Sequence, residues 1–411
     1  MYREFSFPIL QTSNSVFSSP VEIANILGET FQSVSSTASY NSRFLEIKRR
    51  AERTPINFST RSFFPYNCDF TMTELKKALL QVHNTSPGPD GITYTMLRHL
   101  NPNSLSNILF LFKRVLKEHC FPSSRREAIV IPILKPGKVA TDPLSYRPIA
   151  LTSCFCKTFE RMVNTRLVYV LEKEKCIFPL QSGFRKGRST LDNLVFLESQ
   201  IRDAFVKRNH LVSLFFDIEK AYDRTWRYGI LRNMYDFGIR GNLPIFIFNF
   251  LAVRYFYVRI GHSSSLKCMQ DQGVPQGSVL SVTLFNIHMS NILHQLPPSV
   301  RGMFYVDDLQ VSCQGSDIGL IERQLQLTVN RLVKWCDQNG HAISPSKSSC
   351  VHFCRKHNLH PDPSIHIGNI QIPVVSEVRF LGVIFDSKLT FLPHVLYLRK
   401  KCEHTRSLNI L

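Results

Sequence analysis

The segment Phe304–Val311 reads FYVDDLQV, two adjacent carboxylates inside a run that otherwise has the composition of a buried strand. Successive residues of a strand face opposite sides of its sheet, so an uninterrupted strand would aim one aspartate at the core. An unpaired buried carboxylate is costly enough to take up a proton or a cation instead. The pair is therefore expected at the tip of a β-hairpin. Two readings of that tip stand on the octapeptide alone. Aspartate is a common turn residue and can simply be solvated there; alternatively, the tip is a cation site.

A third acid bears on the choice. LVSLFF (211–216) has the pattern of a buried strand, and Asp217 follows it where the sequence predicts that a helix opens. An acid at a strand end is presented at the sheet rim, although capping a helix N-terminus would also account for it. Asp217 lies far upstream of Asp307, so only the fold can bring the three acids together. On adjacent strands they would suit two divalent cations about 4 Å apart, one activating a hydroxyl and one steadying a leaving group. Between them lies DQGVPQGSVLSVTLFNIHMSNIL (271–293). Gly273, Pro275 and Gly277 form a loop whose backbone can approach a ligand closely, with the Gln276 amide at its centre. A plain turn before an apolar helix is the alternative.

Charge narrows the partner class. Lysine and arginine outnumber aspartate and glutamate by 50 to 31, a formal charge of +19. Such an excess suits a polyanion, nucleic acid above all, against the alternative of a merely basic globular chain. The 411 residues suffice for two or three domains. MYREFSFPIL lacks a signal-peptide pattern, and the most apolar window, LPIFIFNFLAV (243–253), is too short to span a bilayer. An intracellular protein without a membrane partner is expected. The odd count of eleven cysteines agrees, since scattered thiols without a secreted spacing are expected to be reduced. Cys350, Cys354, His357 and His360 can be drawn as zinc ligands, but their spacing is not that of a standard finger. CVHFC alternates as a strand does, and the strand is the preferred reading.

Residues 1–70 are serine-rich and weakly patterned, with a helix at VEIANILGETFQ and a basic cluster KRRAER, and read as an extension or linker. From Thr71 the pattern tightens. TMTELKKALLQV is a capped helix, SPGPDGI a breaker-rich loop, LSNILFLFKRVLKEH a helix, AIVIPIL a strand and FCKTFERMVNTRLVYVLE a further helix. From 211 onward strands and helices alternate, which argues for an α+β sheet domain rather than a bundle.

The order of the pieces adds more than any one of them. SPGPDGI, ILKPGK, SYRPIALTS, FERMVNTRL, QSGFRKGRSTLDNL, FFDIEKAYDRTW, GVPQGSVLSVTLFNI, FYVDDLQV, LVKWCDQNGHAISPSKSSCVHF and VRFLGVIFDSKLTF follow one another. That succession, over about Thr71 to Pro393, resembles the reverse transcriptase of non-LTR (LINE-type) retrotransposons, most closely the arthropod jockey-like group. The resemblance implies an α+β right-hand polymerase: fingers over 71–210, palm over 211–390 and the start of a helical thumb over 391–411. The reverse transcriptase domain itself is expected over about 115–386. It also implies a fragment of a longer polyprotein, with a truncated thumb.

Residue by residue, Asp217 matches the first catalytic aspartate and Asp307 and Asp308 the Y-x-D-D pair, with the Ile218 carbonyl joining them in coordinating two Mg²⁺, Mn²⁺ being the alternative ion. Tyr222 matches the aromatic gate that excludes a ribose 2′-hydroxyl, against the alternative of a core aromatic. Gln276 matches the glutamine contacting nucleotide and template. Lys135 and Arg147 match cations of the fingers that grip a triphosphate, and Lys347 resembles the lysine proposed to protonate pyrophosphate. For each base the alternative is a solvated charge. GFRKGRST (183–190) fits template contact. Arg125, Val282 and HAIS (341–344) depart from the family pattern, and all three are expected to lie off the metal site. The implied partners are an RNA template, a DNA primer and deoxynucleoside triphosphates, in nucleus and cytoplasm; oligomeric state stays open. Two functions remain: an RNA-directed DNA polymerase, or an inactive relic that only binds RNA.

Overall fold

The computed structural model describes residues 7–12, 15–119, 121–356 and 361–408, with only the backbone described at 124 and 404–408. The chain divides into two compact units, Met1–Cys176 with Tyr222–His288, and Ile177–Ala221 with Met289–Leu411. These units do not follow the expected boundaries at 210/211 and 390/391. The reason is strand pairing: Glu127–Leu134 pairs in parallel with Arg254–Ile260. A parallel pair needs a long crossover, so segments distant in sequence share one core.

The first unit is built on that pair. Its sheet runs Tyr146–Leu151, Glu127–Leu134, Arg254–Ile260, Ser263–Ser264, and Cys268–Gln270 also pairs with Arg254–Ile260. One face of Glu127–Leu134 presents Ala128 and Val130 to a core with Tyr146, Ala150, Phe256 and Val258. The helix Pro20–Val34 closes this core with Ile23, Ala24, Leu27 and Phe31. Their near-fourfold spacing makes one apolar stripe, and Pro20 at the helix start suits a position that needs no N–H donor. The helix Pro20–Val34 is thus integral to the unit and not an appendage. Weak patterning hid this, because the stripe is short and flanked by serines.

Other expectations hold. Thr71 and Glu74 form a capping box on Met72–Leu80, and the helices Pro102–Glu118 and Cys154–Lys173 stand where periodicity put them. In SPGPDGI, Asp90 ion-pairs with Arg125 and accepts from Ser153 Oγ at 2.6 Å, tying the loop to the start of Cys154–Lys173.

The second unit holds a four-stranded antiparallel sheet in the order Ser349–Phe353, His210–Asp217, Asp308–Gly315, Val300–Tyr305. Leu211, Phe215, Val351 and Phe353 on one face pack with Leu197, Ile201 and Ala204 of the helix Thr190–Val206. CVHFC lies in the strand Ser349–Phe353 and the following residue, as alternation suggested. His357 and His360 lie outside the described residues. The hairpin Glu377–Phe380 with Val383–Asp386 covers the same core, and the helix Leu392–Leu408 follows it.

Candidate active site

Strand register brings the acids together. In the second unit Asp308 stands directly opposite Asp217, and on its other side opposite Tyr305. Residues directly opposite in an antiparallel pair have Cβ atoms about 4.5–5.5 Å apart, and like charges there repel. The connecting turn is only Val306-Asp307, so Asp307 adjoins the same sheet rim. Val306 has φ 59° while Asp307 stays outside the left-handed region, a pattern normally given to glycine at the first turn position. A β-branched residue there is strained by roughly 1–3 kcal/mol, and a neighbouring segment must hold it.

That segment is Leu180–Gly183. Ser182 N–H donates to the Phe304 carbonyl at 2.9 Å, and Phe304 N–H donates to that of Leu180 at 3.0 Å. Gly183 then lies so close to the turn that a Cβ on it would sit 2.5 Å from Val306 N. The role of Gly183 is spatial, and sequence reading missed it; the QSGF tetrapeptide was its only trace. Arg185, next to it in the basic stretch, donates to the carbonyls of Phe178 at 2.8 Å and Gln181 at 2.9 Å. It braces the loop, leaving Lys186 and Arg188 as the exposed bases.

Electrostatics at the rim follow from this crowding. Burial first, then the charges of Asp307 and Asp217, push the Asp308 carboxyl from its ordinary 3.8 up to about 6. The residue retains solvent exposure, so water screens part of the cost. Lys347 Nζ donates to Asp217 Oδ2 at 2.9 Å, an ammonium lying on one of the clustered carboxylates. Three acids meeting at one rim, one of them resisting ionisation and another holding a cation, form an all-oxygen donor set suited to hard divalent ions.

The strand that carries Asp217 ends there. Ile218 bridges Ile343, Ser344 N–H donates to the Asp217 carbonyl at 2.9 Å, and Glu219 N–H donates to that of Ala342 at 2.9 Å. No helix opens at Asp217; residues 219–224 are turns, and the next helix is Arg227–Asp236. Helix capping is therefore not its role. HAIS is also not remote from the acids as expected, since its backbone continues the line of the sheet and holds residues 217–219.

Tyr222, Gln276, Lys135 and Arg147 belong to the first unit. Tyr222 sits in the turn segment, half-buried, its ring stacked on Phe285 at 4.5 Å between centroids. Gln276 Nε2 donates to Asp223 Oδ1 at 2.9 Å, and the Gln276 carbonyl accepts from Ala150 N–H at 2.6 Å. Gly273 has φ 75°, and a Cβ there would lie 2.5 Å from the Asp223 carbonyl oxygen; Gly277, φ 127°, is equally blocked by that of Ala150. Those glycines admit the protein's own backbone, and the loop clasps the Tyr222 segment through Gly273 N–H to Thr225 O and Val274 N–H to Tyr222 O. Asp223 and Glu160 were not singled out from the sequence. Glu160, fully buried, accepts from Ser278 Oγ and at 2.9 Å from Val279 N–H, capping the helix Val279–Met289.

Arg147 pairs opposite Ile133 in the hairpin, and Lys135 directly follows the strand Glu127–Leu134. Lys135 Nζ donates to the Leu144 carbonyl at 2.8 Å, which aligns it along the hairpin end. Arg147 is exposed.

Comparison with known proteins identifies the family. Residues 133–385 match the family described as reverse transcriptase (RNA-dependent DNA polymerase), a span holding all nine candidate site residues. The chain is 31% identical over 329 residues to the probable RNA-directed DNA polymerase from transposon X-element of Drosophila melanogaster, covering 78% of this chain and 35% of that protein. It is 30% identical over 339 residues to the RNA-directed DNA polymerase from mobile element jockey of Drosophila funebris, covering 80% and 36%. Against the transposon BS polymerase of Drosophila melanogaster it is 28% identical over 326 residues, covering 77% and 36%. The chain thus spans about a third of the length of these relatives. With its motifs in family order and its acids joined by strand register, this chain belongs to the reverse transcriptase family.

Proposed function

We propose that this chain is an RNA-directed DNA polymerase of a jockey-like non-LTR retrotransposon, adding deoxynucleotides to a primer 3′-hydroxyl on an RNA template. The observation that carries the proposal is the register Asp217 opposite Asp308, with Asp307 in the adjoining turn. Asp217, Asp307 and Asp308, with the Ile218 carbonyl, would hold two Mg²⁺ or Mn²⁺ ions; when bound, these activate the 3′-hydroxyl and offset charge on the leaving group. In the terms of a right hand, the antiparallel sheet of the second unit is the palm, the hairpin carrying Lys135 and Arg147 is part of the fingers, and Leu392–Leu408 begins a thumb.

The remaining residues divide the work. Arg147 presents a fork suited to phosphate oxygens and Lys135 a point charge, together gripping a triphosphate. Gln276, held by Asp223, positions nucleotide and template. Lys347, paired with Asp217, would supply the proton to departing pyrophosphate. The reaction belongs inside the cell, in nucleus and cytoplasm; every described cysteine is a free thiol, which suits a reducing compartment.

The test is primer extension on an RNA template by the purified chain, beside filter binding of the same RNA. Extension dependent on Mg²⁺ supports the polymerase; tight binding without extension would instead identify an RNA-binding relic. Binding should also weaken steeply with salt, with a log–log slope of about −0.7 for each phosphate contacted on a single strand. A flat salt dependence would mean that the +19 charge faces solvent and not nucleic acid.

Tyr222 provides a further check. Stacked on Phe285 and half-buried, its ring has a fixed plane against which a sugar can be judged. Tyr222→Val should raise ribonucleotide relative to deoxynucleotide incorporation by about tenfold or more, a difference of about 1.4 kcal/mol, with RNA affinity unchanged. If the ring is mainly core, both incorporations and the melting temperature fall together.

A further inference from the structure

At the end of the palm sheet remote from the acids, three further donors converge. His210 opens the central strand and His352 lies opposite Val212 on the neighbouring one. The register continues through Phe353 opposite Leu211, which places Cys354 beside His210. Alternation then puts His210, His352 and Cys354 on one face of the sheet. One nitrogen of each histidine and the Cys354 sulfur all lie within 4.8 Å of one another. His210 Nδ1 is 2.9 Å from His352 Nε2. His210 and Cys354 are buried, and the His352 side chain is only 8% exposed.

Two features around the donors are those of a metal centre. The other nitrogen of His352, Nδ1, lies 3.0 Å from Asp362 Oδ1, so the carboxylate fixes the tautomer that leaves Nε2 free to coordinate. The backbone N–H of Lys356 donates to Cys354 Sγ at 3.4 Å, a contact that stabilises a thiolate. We propose that His210, His352 and Cys354 form a Zn²⁺ site, with Asp362 orienting His352 and a water completing four-coordination. Two imidazoles and one thiolate are a borderline-soft set that selects zinc over magnesium or calcium.

Binding must balance its protons. The Cys354 thiol loses one to solvent, and His210 shifts its proton from Nδ1 to Nε2, so one proton leaves per ion. Lys356 opposes this step, because its Nζ lies 3.0 Å from His210 Nε2 and holds that nitrogen as an acceptor. It must swing away when the ion enters. Cys350 is on the same face but one pair deeper, opposite Leu214, and lies outside the donor set. His210 and Asp217 stand at opposite ends of one eight-residue strand, roughly 23 Å apart at 3.3 Å per residue, so the ion is a structural clip and no part of nucleotide transfer.

The experiment uses the whole chain, purified from zinc-supplemented cells, with metal content by mass spectrometry and Co²⁺ replacement followed by absorbance. The expected result is one zinc per chain, a thiolate-to-cobalt charge-transfer band, and a melting temperature lowered by chelator. Cys354→Ser should abolish the band, Cys350→Ser should keep it, and Lys356→Met should tighten zinc by about tenfold. Absence of both zinc and the cobalt band in the folded wild-type chain would overturn the site. So would a Cys354→Ser chain, folded by circular dichroism, with an unchanged band.

Discussion

Asp308→Asn is expected to lower nucleotide incorporation by about 10²–10³-fold or more while making the metal-free protein more stable at neutral pH. The two effects have one cause. Asp308 faces Asp217 across the strand pair and adjoins Asp307, so ionising it in the fold is unfavourable, first through burial and then through its neighbours' charge. Its carboxyl titrates at about 6 when folded against an ordinary 3.8. Below 3.8 it is protonated in both states and carries no penalty. As pH rises towards 6 the unfolded chain releases its proton first, so stability falls, and the full penalty stands above 6. Asparagine cannot ionise and escapes that penalty, but it also removes the charge that a metal-assisted transfer requires. Asp217→Asn should cost comparable activity and release Lys347.

The checks are single-nucleotide incorporation, RNA filter binding and melting temperature between pH 4 and 8, with and without Mg²⁺. Mg²⁺ should raise the wild-type melting temperature more at pH 7 than at pH 5, since protonation of Asp308 competes with the ion. RNA affinity should stay within about twofold, because these acids oppose rather than attract phosphate. Near-normal incorporation by either asparagine variant would remove the acids from the reaction.

Gly183→Ala is expected to disable the same site without touching a carboxylate. The added Cβ would lie 2.5 Å from Val306 N and 2.8 Å from its Cγ2, and a backbone atom cannot turn aside. The hairpin tip must therefore move. Overpacking of this kind costs about 1–3 kcal/mol. Displacement of Asp307 and Asp308 by about 1 Å would cost about 10²-fold in incorporation. Gly315→Ala is the control, because it lies in the same strand as Asp308 and its Cβ would meet Ile321 at an ordinary 3.4 Å. Incorporation by Gly183→Ala at the level of Gly315→Ala would show that the tip is not position-limited.

The placing of the site's carboxylates was legible because charge and apolarity conflict locally. FYVDDLQV cannot be a continuous buried strand, and LVSLFFD must stop where its acid appears, so hairpin tip and strand end follow from short segments. Val306 shows where such reading stops: valine favours a strand, yet here it takes the turn position usually reserved for glycine. The structure holds it there by the close passage of Gly183, far away in sequence. The GVPQG loop was likewise legible as a site of close approach, and its glycines admit the carbonyls of Asp223 and Ala150.

Taken alone, the sequence determined the strands and helices whose periodicity is strong and the family through the order of its motifs, and it nominated the acids and bases of the proposed chemistry. Only the tertiary structure decided the register that sets Asp308 opposite Asp217, the inclusion of Pro20–Val34 in a core, and the convergence of His210, His352 and Cys354. The division has a physical reason. Periodicity and turn preference act within a few residues and leave marks in composition. Register and parallel pairing are fixed by how side chains from distant segments fill shared space, and no single segment records its partner.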